Sequence, residues 1–98
     1  MIDEMIDKVM NNYTFEQQQE IFVEECAEAI QAVQKMKRSD QETLDTLGHL
    51  AEEVADVLIM AEQMRRYIGK KTVDRIISEK LTRQLQRIES GVNGEEKT

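Results

Sequence analysis

The stretch VEECAEAIQA, Val23 to Ala32, sets three glutamates (Glu24, Glu25 and Glu28) inside an otherwise apolar segment. A second stretch, LAEEVADVLI from Leu50 to Ile59, repeats the arrangement with Glu52, Glu53 and Asp56. Both follow the helical period, and neither alternates as a strand does. On a helix Glu25 and Glu28 stand three residues apart and share a face with Ile21 and Ala32. Glu24 turns toward Gln17, Gln31 and Lys35 and reads as solvated. On the second segment Glu53 and Asp56 share a face with His49 and Met60, while Glu52 lies further out, near Gln63. The apolar seam expected on the first segment is Phe15, Phe22, Cys26, Ala29, Val33 and Met36. The one expected on the second is Leu47, Leu50, Val54, Leu58, Ala61 and Ile68. The paired acids therefore flank the expected core on both helices.

Outward from these stretches, the rest of the chain reads as helix. With 98 residues it forms one domain. Proline is absent, glycines number four and aromatics make up 4%, a composition that favours an all-α fold. A short helix is expected over about Asp3 to Met10, broken at NNYT. Thr14 and Gln17 then match a capping box that opens a long helix to about Lys37. Ser39, with Glu42 behind it, is expected to cap a second long helix that stops at Gly69, with Gly48 loosening its start and Arg65 and Arg66 in its last turn. A third opens at Thr72 and closes near Ser90 on Gly91. The reading is a compact helical bundle of three long helices plus a short N-terminal helix, covering residues 1–90, with a disordered tail over 91–98. A helix near 30 residues spans roughly 45 Å, long for a lone small domain, so a homo-oligomer is expected.

Charge narrows the function classes. The net charge of −7 disfavours a nucleic-acid polymer as partner. It also opposes any free polyphosphate, so phosphate chemistry here requires a divalent cation. No apolar run is long enough to span a membrane. The acidic, amphipathic N-terminus does not read as a signal peptide. A single cysteine, Cys26, forms no internal disulfide, and a reduced cytoplasmic setting is expected. Cys26 reads as a packing residue, and no Ser or Cys nucleophile is indicated. Tyr13, Gln17 and Gln18 read as polar helix surface. One histidine, His49, is too few for a di-iron carboxylate bundle, which needs two Glu-x-x-His motifs.

Two antiparallel helices bearing such pairs bring Glu25, Glu28, Glu53 and Asp56 together. Partly buried, the four repel one another and take up protons unless a cation joins them. Oxygen-only ligands suit Mg²⁺, with Mn²⁺ as the alternative. On the third long helix Lys80, Arg83 and Arg87 stand at i, i+3 and i+7, flanking an apolar seam of Val73, Ile77, Leu81, Leu85 and Ile88. That strip suits phosphate oxygens.

EECAE followed by EEVAD, with 24 residues between Glu28 and Glu53, resembles the EExxE…EExxD signature of the MazG-like all-α nucleoside triphosphate pyrophosphohydrolases. DVLIMAEQM resembles the family's second core helix, and SEKLTRQLQR, Ser78 to Arg87, its basic C-terminal helix. The resemblance implies that Glu25, Glu28, Glu53 and Asp56 are metal ligands and that Lys80 and Arg83 bind phosphate. Arg87 joins them on spacing alone. It further implies Mg²⁺-dependent cleavage of a nucleoside triphosphate to the monophosphate and pyrophosphate, in a homodimer or homotetramer. Glu25 and Glu28 are the candidates for the general base that takes the water's proton. Ser78 departs from members that carry Asn at that place. A phosphoribosyl-ATP pyrophosphatase shares the signature, and a non-catalytic helical regulatory or adaptor protein is the rival from another class.

Overall fold

The computed structural model describes residues 1–38 and 44–91. Four α-helices follow in order: α1 (Ile2–Asn12), α2 (Phe15–Arg38), α3 (Leu44–Ile68) and α4 (Lys70–Ser90). Among the described residues there is no strand, so the all-α expectation holds. By contacts the chain divides into two units, Met1–Tyr67 and a second beginning at Ile68. The first unit therefore carries α1, α2 and nearly all of α3; the second carries α4.

α1 is longer than expected at both ends. Near its C-terminus the Asn12 side-chain amide donates to the Lys8 carbonyl one turn back (2.7 Å). Tyr13 then turns extended (φ −134°, ψ 149°), which makes the break. The capping box that opens α2 is present in both directions. The Gln17 N–H donates to Thr14 Oγ1 (3.1 Å), and the Thr14 N–H donates to Gln17 Oε1 (2.9 Å). Lys35, Lys37 and Arg38 occupy the last turn of α2, where cations complement the helix dipole. α3 runs through Gly48 without interruption. The cap expected at Ser39 and Glu42 lies outside the described residues. Gly69 ends α3 at φ +129°, a conformation L side chains rarely adopt. α4 starts at Lys70, earlier than Thr72, because the Val73 N–H already donates to the Gly69 carbonyl (3.1 Å). It closes on Gly91 (φ +82°), whose N–H reaches the Arg87 and Ile88 carbonyls, as the sequence indicated.

Within the first unit, Arg66 on α3 anchors α1. Its side chain is 7% exposed and donates to the Asp3 carboxylate (2.9 Å), the Asp7 carboxylate (2.6 Å) and Glu62 (2.8 Å). Ile6 of α1 is buried. Phe15 of α2 packs against Tyr67 of α3, ring centroids 4.4 Å apart and planes tilted by 41°.

The α2–α3 contact departs from the expected seams. Buried on these helices are Gln18 and Ala32 from α2, and Glu53, Met60 and Gln63 from α3. Leu47, Val54, Leu58 and Ile68, four of the six seam residues assigned to α3, are exposed. On α2 the seam is divided: Phe22, Cys26, Ala29 and Met36 are half-buried, whereas Phe15 and Val33 are exposed. The fully buried positions of the two helices fall on the stripe that carries the acids, with the apolar seam of α2 half-buried beside it. Gln18 and Gln63, assigned to polar surface, are instead the most buried large side chains, at 2% and 1% exposure. The Gln18 amide donates to Gln63 Oε1, and Gln63 Nε2 lies 3.6 Å from Met60 Sδ. The pair is held by this one amide–amide bond, while Gln18 Oε1 is buried without a partner among the described residues.

Candidate metal centre

The Gln18–Gln63 bond sets the register of the antiparallel pair. Seven residues on from Gln18 is Glu25; seven back from Gln63 is Asp56. Three further on is Glu28; three further back is Glu53. Electrostatic contacts follow this pairing, with Glu25 acting on Asp56 and Glu53 on Glu28. The same register continues to Ala32 opposite His49 and Lys35 opposite Thr46, which line one surface hollow. A helix repeat of 3.6 residues brings positions spaced by three and seven back to one side, so all these layers face the partner helix.

Carboxylate oxygens of Glu25, Glu53 and Asp56 converge to within 4.8 Å of one another. Glu53 is buried, Glu25 half-buried and Asp56 exposed, so the cluster runs from the interior to the surface. Glu28, expected in the same set, stands outside this group of three, exposed, beside Glu53. Glu24 and Glu52 are exposed, in agreement with the helical wheel. His49 Nε2 lies 3.9 Å from Glu53 Oε1, too far for a hydrogen bond, and its side chain is half exposed.

One oxygen each of Glu25 and Glu53 is buried and finds no hydrogen-bond donor among the described residues. Burial raises the Glu25 carboxyl above its ordinary value of 4.5, and the charges of Asp56 and Glu28 raise it further. Burial likewise raises Glu53, followed by Glu28, while His49 acts weakly in the opposite direction. Ionised carboxylates have no proton to share. A hydrogen bond from Glu25 to Asp56, or from Glu53 to Glu28, therefore requires that one member of the pair be protonated. A cation among the oxygens removes the same strain without a proton. The donor set is oxygen throughout, which fits a hard divalent ion and not a thiolate- or imidazole-preferring one.

Lys80, Arg83 and Arg87 do share one face of α4. With Gln84 they line a shallow groove of about 140 Å³ in the second unit. Sequence reasoning missed two features of the first unit. The buried glutamines are one. The other is a cleft of about 610 Å³ on which Lys35, Arg38, His49, Glu28 and Glu53 open together. The signal for the first lay in the mirrored spacing of Gln18–Glu25–Glu28 and Glu53–Asp56–Gln63.

Cys26 is a half-buried free thiol. No helix among the described residues is long and apolar enough to cross a membrane. Comparison with known proteins finds no matching family model, no similar curated protein and no similar solved structure.

Proposed function

We propose that the protein is a Mg²⁺-dependent nucleotide pyrophosphohydrolase of the MazG-like kind, cleaving a nucleoside triphosphate to the monophosphate and pyrophosphate. The observation that carries this reading is the convergence of Glu25, Glu53 and Asp56 with two buried carboxylate oxygens lacking donors. A soluble helical pair gains nothing from such a cluster unless a cation or a proton joins it.

In this reading Glu25, Glu53 and Asp56 hold the ion, with Glu28 at the edge of the set. When bound, Mg²⁺ acidifies water and neutralises phosphate charge, with Mn²⁺ as a substitute. The chain's own contribution is to fix the carboxylates in register through Gln18 and Gln63. A carboxylate at the edge of the cluster is free to accept the proton of the attacking water, and exposed Glu28 suits that role better than half-buried Glu25. Lys80 and Arg83, with Arg87 in line, are donors for phosphate oxygens. The protein works in the cytoplasm as a homodimer or homotetramer, its exposed apolar faces covered by other copies.

The test is Glu53→Gln against Glu24→Gln. The first removes Mg²⁺ binding and Mg²⁺-dependent release of pyrophosphate from nucleoside triphosphates; the second leaves both near wild type. Equal effects refute the site. One feature favours a second reading, a non-catalytic helical adaptor: α4 buries none of its described residues and exposes Ile77, Leu81, Leu85 and Ile88. Calorimetric titration separates the two, since an adaptor has no specific Mg²⁺ site.

A further inference from the structure

The cleft of about 610 Å³ lies alongside the acidic cluster but has a different chemistry. Its volume is within the roughly 300–1,000 Å³ typical of small-molecule sites. Buried Ala32 lines it, together with Glu28 and Glu53. Lys35 and Arg38 stand on the same stripe of α2, seven and ten residues beyond Glu28. The rise of an α-helix puts them about 10 and 15 Å along the axis from Glu28. Helical side chains lean toward the N-terminus, so both reach back toward the acids. Among the described residues neither cation is engaged in an ion pair, although Glu28 and Glu53 line the same cleft. The Glu53 oxygen without a donor belongs to a residue only 8% exposed that opens on this cleft.

We propose that this cleft is a polyphosphate subsite of the first unit, in which Lys35 and Arg38 bind the phosphate oxygens beyond the ion held by the acidic cluster. The inference rests on the metal-site reading and adds residues that the signature motifs do not include. Arg38 grips two oxygens at once, and Lys35 supplies a mobile point charge. An anion occupies a chain of net charge −7 here because two cations and a divalent ion meet it locally. The ordinary explanation for basic residues in a last turn is complementing the helix dipole. Lys37 serves that purpose equally, from the same turn, but does not line the cleft. It is therefore the internal control: Lys37→Ala removes the same charge as Lys35→Ala at nearly the same place.

The experiment is isothermal titration of the full chain, first with Mg²⁺ alone and then with inorganic tripolyphosphate in the presence of Mg²⁺. Lys35→Ala and Arg38→Ala are each expected to weaken tripolyphosphate binding about tenfold or more, while Lys37→Ala stays within about twofold of wild type. Mg²⁺ affinity without polyphosphate is unchanged in all three. If wild type binds tripolyphosphate and all three variants bind it alike, the subsite is refuted and the metal centre stands. Mg²⁺ binding without tripolyphosphate binding has the same meaning. Absence of any Mg²⁺ site in wild type overturns the metal centre and the subsite together.

Discussion

At the scale of single residues, burial decides which side chains carry consequence. One hydrogen bond, from the Gln18 amide to Gln63 Oε1, joins the two glutamines inside the α2–α3 contact. Gln63→Leu leaves the Gln18 amide without a partner and is expected to cost about 1–3 kcal/mol in denaturant unfolding. Gln18→Leu/Gln63→Leu together restore most of that loss, because an apolar pair needs no partner; a simple sum of the single effects would mean the amides are not coupled. Glu53 behaves in the opposite sense. Its folded-state pKa lies above the ordinary 4.5, so the folded protein binds the proton more tightly than the unfolded one. Stability of the ion-free protein therefore falls as pH rises from 4.5 through that raised value. Glu53→Gln should raise the ion-free Tm at neutral pH and leave it unchanged below pH 4.5. Glu62 runs the other way. The hydrogen bond from Arg66 lowers its pKa, so its contribution is present above 4.5 and is lost as pH falls through the lowered value. A Tm of Glu53→Gln equal to wild type at neutral pH would place that carboxylate in water.

At the scale of helices, local chemistry was legible and facing was not. Thr14 with Gln17, Gly69 and Gly91 mark ends that depend on neighbours within a few residues, and the structure keeps all three. Which stripe of a helix turns inward depends on a partner far along the chain. Apolar count points to Leu47, Val54 and Leu58, yet the first unit buries Glu53, Met60 and Gln63. That each helix carries two acids on one face, Glu25 with Glu28 and Glu53 with Asp56, was readable, but the opposition of Glu25 to Asp56 across α2 and α3 needed the Gln18–Gln63 register. The role of Arg66 was hidden for the same reason: its partners Asp3 and Asp7 lie some sixty residues away. Arg66→Ala leaves Asp3 and Asp7 of α1 without their anchor. It is expected to expose the α1 amides to hydrogen exchange while α2 and α3 remain protected. Uniform protection across the three helices would show that α1 docks through apolar contact alone. Losing the α2 cap by Thr14→Ala is smaller in reach and costs about 1 kcal/mol, read by thermal unfolding.

At the scale of the molecule, the faces left uncovered set the last expectation. In the first unit Leu47, Val54 and Leu58 form a stripe on α3, exposed by 43%, 43% and 64%. On α4 Ile77, Leu81, Leu85 and Ile88 are about half exposed along one seam. Apolar residues scattered over a surface need no explanation, but stripes at helical spacing are what a partner helix packs against. The interior of the first unit gives as many places to polar side chains (Gln18, Glu53 and Gln63) as to apolar ones (Ile6, Ala32 and Met60), which leaves the α3 stripe outside it. Covering a half-exposed leucine contributes roughly 1 kcal/mol, and several such residues on two copies offset the entropy of association. A second copy is the occupant that presents the same stripes at equal concentration, and a twofold axis pairs each with itself. Light scattering at micromolar concentration should then give a mass at least twice 11.4 kDa. Leu58→Glu puts an unpaired charge into the stripe, which is costly once buried, and should shift the mass toward a single chain without loss of helix by circular dichroism. A wild-type mass near 11.4 kDa ends the idea, and a Leu58→Glu variant that keeps the wild-type mass moves the interface off α3 and onto α4, where Leu81→Glu tests it in the same way.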